Sequence, residues 1–206
     1  MSVYEIAKFI HGSILPTNEN DLDGIFHHKK SLPVNITASS IYHGDELDDY
    51  RYPHAVIEYW NKTWWTSENN QNPQWILFNF TKRRLIITNY SVQSLDNPKN
   101  AAHAKQWVVE GYNDNKEWVI IDKVIESKGN SPLYIETRGV YNNERPFSAI
   151  KISKTGINWQ NTGSFRFYKV DFFGIIENCS NIVKTCKARN NYFHIHTIGN
   201  NQQLVF

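Results

Sequence analysis

The side chains best able to do chemistry crowd into one polar stretch, Tyr42-His43-Gly44-Asp45-Glu46-Leu47-Asp48-Asp49-Tyr50-Arg51-Tyr52. Its four carboxylates would suit a hard cation. Their spacing, however, misses the alternating-acid, glycine-centred pattern of a calcium loop, so the stretch reads as a solvated acidic loop. His194 and His196 would share one face of a strand, a two-ligand arrangement, but no third ligand completes a zinc site. His27-His28 reads the same way, as histidines of surface or core, and no metal site is expected. Catalytic signatures are also missing. The chain has no Gly-x-Ser-x-Gly elbow, no His-Glu-x-x-His, no phosphate-cradling glycine loop and no dinucleotide fingerprint. No pair of carboxylates lies where the sequence suggests a cleft. The expectation is a chain that binds and does not catalyse.

The elements that must position these loops are strands. Aromatics make up 14% of the 206 residues and charged residues only 20%, a profile tilted toward pleated, half-buried structure. A net charge of +2 is too mild for a nucleic-acid partner, which calls for a basic stripe. Lys82-Arg83-Arg84 reads as a solvated turn. No apolar run is long enough to span a bilayer, and the first residues lack the pattern of a secretory signal. The two cysteines, Cys179 and Cys186, read as free thiols in a reducing compartment, with a bridge between them as the alternative. A cytoplasmic location is the resulting expectation.

Val3, Ile6, Ala7 and Ile10 are spaced for one short helical face, ended by Gly12 and Pro16. Strand signals begin at Pro33–Ala38. Ile76, Phe78 and Phe80 point one way while Trp75, Leu77 and Asn79 point the other. Further strands are expected at Leu85–Val92, Trp107–Gly111, Leu133–Thr137, Phe147–Ser153 and Phe165–Phe173. Trp118–Asp122 returns as a hairpin partner across the turn residues Asn113–Lys116. Many short strands and almost no helix predict an all-β sandwich or jelly roll. The resulting division is an N-terminal extension (1–30), a sandwich domain (31–177) and a C-terminal extension (178–206) that adds a strand or hairpin.

Five segments in order carry a family resemblance: Trp64-Trp65-Thr66-Ser67, Gln74–Phe80, Trp107–Asp114, Lys154–Trp159 and Val170–Gly174. Together they resemble the discoidin family, or coagulation factor 5/8 type C domain, on the galactose-binding-like jelly-roll sandwich. Thr155-Gly156-Ile157-Asn158-Trp159 is similar to a protist-expanded branch of that family, in which the domain often accompanies BTB-type adaptors. No BTB domain is present in this chain. In glycan-binding members the region matching Ala55–Ser67 helps form a calcium site. Here Glu58-Tyr59 stands where Asp-Gly is usual, and a longer carboxylate beside a tyrosine that resists positive φ argues against the ion. No cofactor is expected.

The resemblance also implies that ligands meet loops at one end of the sandwich: Tyr42–Tyr52, Trp60–Pro73 and Asn158–Gly163. The contact residues it points to are Tyr42, Asp48, Asp49, Tyr50, Arg51, Tyr52, Trp60, Trp64, Asn158 and Trp159. Rigid aromatics and adaptable amides suit such loops. Trp65, Trp75, Trp107 and Trp118 are expected in the core. The leading functional expectation is an intracellular protein-interaction domain with a protein partner. The alternative is a carbohydrate-binding or adhesion module in which Trp60 or Trp64 stacks on a sugar. Membrane docking is disfavoured, because the loops carry acids and amides in place of apolar residues flanked by lysine.

Overall fold

The computed structural model describes residues 16, 22–28, 32–42, 52–58, 64–69, 73–94, 103–129, 131–140 and 145–178. Among the described residues, one helical turn, α1 (Ile25–His28), precedes ten strands. These are β1 (Asn35–Ala38), β2 (Trp65–Thr66), β3 (Trp75–Asn79), β4 (Arg83–Gln93), β5 (Trp107–Asn113), β6 (Trp118–Val124), β7 (Ile135–Gly139), β8 (Phe147–Lys154), β9 (Arg166–Phe167) and β10 (Lys169–Asn178). A 3-10 turn, Pro53–Ile57, lies between β1 and β2.

All the pairings are antiparallel. One layer runs β1-β3-β8-β5-β6 and the other β7-β4-β10. Among the described residues, the ladder pair Leu85 to Phe147 joins the layers, and β2 pairs with β9. The period of two decides what fills the space between them. Ile76 and Phe78 on β3, Trp107 and Val109 on β5, and Ile150 and Ile152 on β8 are fully buried. Gly111 continues the inward row of β5, where a Cβ would sit 2.4 Å from the Phe147 ring. That close approach requires a residue without a side chain.

The expected face of β3 is observed, but two tryptophans are not where they were expected. Trp75 and Trp118 occupy the outward phase of their strands. Trp75 is half-buried and Trp118 is 40% exposed, whereas Trp65 and Trp107 are fully buried. Trp118 lies opposite Tyr112, with the Lys151 ammonium 4.3 Å from its ring centroid. The strand expected at Leu133 begins instead at Ile135, because Leu133 has a φ of 54° and belongs to a turn. The stretch Phe165–Phe173 divides into β9 and β10.

Residues placed by sequence in the N-terminal extension belong to the core. Ile25 and Phe26 are buried, and the Phe26 ring packs against Phe78, Phe80 and Phe172. The buried Asp171 carboxylate holds the turn in place by accepting the Phe26 amide at 2.8 Å and the His27 amide at 3.2 Å. Those are the amides a helical turn leaves without internal partners. Arg83 and Arg84 lie on β4, and Arg84 pairs with Asp114 at 2.8 Å. Among the described residues, no helix is long and apolar enough to cross a membrane.

Candidate functional site

The registers place the long connections at one end of the sandwich. Ala38 pairs with Ile76, Trp107 with both Lys154 and Val124, and Gln93 with both Ile135 and Lys169. The connections leaving β1, β4, β6 and β8 therefore gather there. The tight turns after β3 and β5 lie at the other end.

Hydrogen bonds knit these connections together. The Tyr42 amide donates to the Thr66 carbonyl at 2.9 Å. Ser40 accepts the Trp65 indole on its carbonyl at 3.1 Å and the Glu68 amide on its hydroxyl at 3.0 Å. The Gly163 amide donates to Asn69 Oδ1 at 2.9 Å, and the Lys154 ammonium donates to the Gly163 carbonyl. Parts of all three expected loops are thus contiguous.

Of the ten expected contact residues, Asp48, Asp49, Tyr50, Arg51 and Trp60 lie outside the described residues. Tyr42 and Tyr52 are exposed, at 39% and 51%, and Trp64 is half-buried. Asn158 has a different role from the one expected. It is 1% exposed, and its side-chain amide donates to Thr162 Oγ1 and to the carbonyl and hydroxyl of Ser164. Its Oδ1 accepts the amides of Gln160 and Thr162. A side chain so committed shapes its loop by the turn chemistry typical of asparagine and is not open to a ligand.

Trp159 is what that loop presents. Its backbone amide donates to the His103 carbonyl at 3.2 Å, and its indole approaches Ser127 Oγ at 3.4 Å. The Lys105 ammonium lies 4.3 Å from the ring centroid and pairs with Glu126 at 3.3 Å. The ring is half-buried, so a rigid aromatic surface remains at the end of the sandwich.

Beside it is a small cleft lined by His103, Ser127, Tyr134, Glu136 and Arg166, with Trp107 and Phe167 as apolar wall. Burial pushes the His103 imidazole below its usual range, and the nearby Arg166 charge adds to the effect. The imidazole is therefore neutral near pH 7, with one nitrogen to donate and one to accept. Glu136 accepts the Lys128 amide and the Arg138 guanidinium, each at 3.0 Å. Among the described residues, no group of three or more His, Cys, Asp or Glu side chains could hold a metal ion. Sequence reading missed this cleft because its residues come from separate connections and strand ends, with no shared local spacing.

No family model matches the sequence, and no curated protein matches it. Solved structures do. An F5/8 type C domain from Bacteroides fragilis aligns with a TM-score of 0.58 at 13% identity, covering 71% of this chain and 93% of that one. Chitosan-binding module 1 of a chitosanase/glucanase from Paenibacillus aligns at 0.54 and 18%, covering 70% and 97%. CpGH89CBM32-5 from Clostridium perfringens, solved in complex with GalNAc-β-1,3-galactose, aligns at 0.53 and 16%, covering 68% and 94%. The chain has the galactose-binding-like β-sandwich fold of these domains.

Proposed function

We propose that this chain is a non-catalytic glycan-binding module that takes its sugar at the long-loop end of the sandwich. The carrying observation is the position of Trp159, a half-buried ring held by hydrogen bonds at the long-loop end of the sandwich. A pyranose presents C–H bonds on one face and hydroxyls on its rim, so it needs an apolar platform flanked by polar groups fixed in place. The loop ties fix the ring before binding, which limits the conformational entropy that binding must remove.

The similar folds support this reading, since two of the proteins described above carry a sugar ligand or a sugar-binding name. The protein-partner reading favoured by sequence has no comparable support.

The test is a glycan screen with the whole chain, followed by calorimetric titration of the hits. Galactose-terminated and chitosan-derived oligosaccharides belong in the screen. Trp159→Ala should weaken binding about tenfold or more, the scale expected for truncating a central aromatic anchor. A folded protein that binds no glycan would reject the reading. So would binding that is unchanged in Trp159→Ala.

A further inference from the structure

The 3-10 turn Pro53–Ile57 and its C-cap Glu58 occupy the region where glycan-binding members of the resembled family help form a calcium site. The residues here do not fit that ion. The Ala55 carbonyl already accepts the Glu58 amide at 3.2 Å and the Lys169 ammonium at 3.0 Å. A carbonyl has two lone pairs, and both are engaged. Calcium takes six to eight oxygen ligands, several of them carboxylates. Among the described residues, the carboxylate that acts on this spot is Glu58, and its Oε1 lies 3.5 Å from His54 Nδ1.

A cation is nonetheless present, and it belongs to the chain. Lys169 is 2% exposed, although burying a charge is costly unless it is paired and hydrogen-bonded. Its ammonium touches the turn at Ala55, lies 4.7 Å from the Tyr168 ring centroid and is attracted by Glu58. Lys169 is the first residue of β10, so one side chain joins the turn to the sheet. An ammonium is a compact, rotatable point charge with three donors. It can bind a carbonyl oxygen and balance a carboxylate charge, as a bound metal ion would.

We propose that the Lys169 ammonium stands in for a bound calcium ion, fixing the Pro53–Ile57 turn to β10 and making this end of the sandwich independent of divalent cations. Burial lowers the ammonium to about 8, with Glu58 pulling in the opposite direction. The side chain therefore still carries its charge near pH 7.

The test adds calcium chloride or chelator to the wild-type chain and to Lys169→Glu, and follows thermal unfolding and calorimetric calcium uptake. Wild type should take up no calcium, and its Tm should move with neither additive. Lys169→Glu replaces the cation with a second carboxylate near Glu58 and frees a lone pair of the Ala55 carbonyl, an oxygen-rich set suited to a hard cation. It should lose stability in chelator and regain it in calcium, with Tm rising roughly 5–10 °C at about a hundredfold excess over Kd. If the variant does not fold in chelator, refolding in calcium is the readout. Calcium binding and stabilisation in wild type would overturn the proposal. So would a Lys169→Glu chain that gains nothing from calcium, whether folded or not. None of these readouts uses a sugar, so they remain informative even if the glycan reading fails.

Discussion

Replacing Phe172 by alanine should destabilise the fold by about 4 kcal/mol, the scale of a large aromatic truncation in a packed core. The Phe172 ring is fully buried and meets three others edge-on. Phe78 lies at 5.0 Å, Phe26 at 5.7 Å and Phe80 at 6.3 Å between centroids. Such pairs add to the stabilisation from burial alone. The cluster joins α1, β3 and β10, so truncation opens a cavity where three elements meet, and the strands around it can collapse only partly. Urea unfolding gives the value directly. Phe172→Leu should cost less than half as much, since it refills most of the space. A loss below about 1 kcal/mol in the alanine variant would mean that the site relaxes, contrary to the close packing of interiors.

The second large effect lies at the open side of the sandwich, where β6 of one layer faces β7 of the other. Asp122 on β6 accepts the Tyr90 hydroxyl and the Arg138 Nε, both at 2.6 Å. The Trp107 indole donates to the Tyr90 hydroxyl at 3.0 Å, and Arg138 reaches on to Glu136. This chain of bonds ties both layers to the wall of the cleft. Asp122→Ala should cost about 3 kcal/mol, because it removes one of the two carboxylates that hold a half-buried guanidinium and strands a buried hydroxyl.

The same contacts set a pH dependence. Burial pushes the Asp122 carboxyl up. The hydrogen bonds from Arg138 and Tyr90, with the Arg138 charge, outweigh burial and bring it below the usual carboxylate range. A carboxyl lower in the folded state than in the unfolded chain contributes stability that is fully present above the unfolded value. That stability is lost as pH falls through the folded value. Urea midpoints measured against pH should therefore drop on the acid side in wild type and drop less in Asp122→Ala. Parallel acid limbs in the two proteins would remove Asp122 as the cause.

Much of the sandwich was legible because its inward rows are strongly alternating. Ile76 and Phe78 announce β3, and the Asn113–Lys116 turn announces the β5–β6 hairpin. Alternation alone, however, does not say how far the outward row is covered. Trp75 and Trp118 were therefore misplaced in the core, although their strands were correctly located. The four-residue α1 is too short to show a helical period, and its anchor, Asp171, lies some 145 positions away in sequence.

The site was legible only in part. Trp159 and the loop that carries it could be found from Thr155–Trp159, and the adjoining Asn69 and Gly163 fall within the expected loops. His103, Ser127, Glu136 and Arg166 could not be found, since folding alone brings them together. Lys169 was hidden for a related reason. A lysine at the start of the strand Val170-Asp171-Phe172-Phe173 looks like a strand end in solvent, and only the fold shows it to be buried against Ala55.

The most direct test of the central claim is an NMR titration of the whole chain with the best glycan from the screen, following backbone amide and indole N–H signals. The glycan reading predicts saturable shifts of the Trp159 indole and of the His103, Ser127 and Tyr134 amides, with the Trp65 and Trp118 indoles unmoved. Shifts confined to the tight-turn end or to the Trp118 face would contradict it, as would a spectrum that does not respond to any glycan.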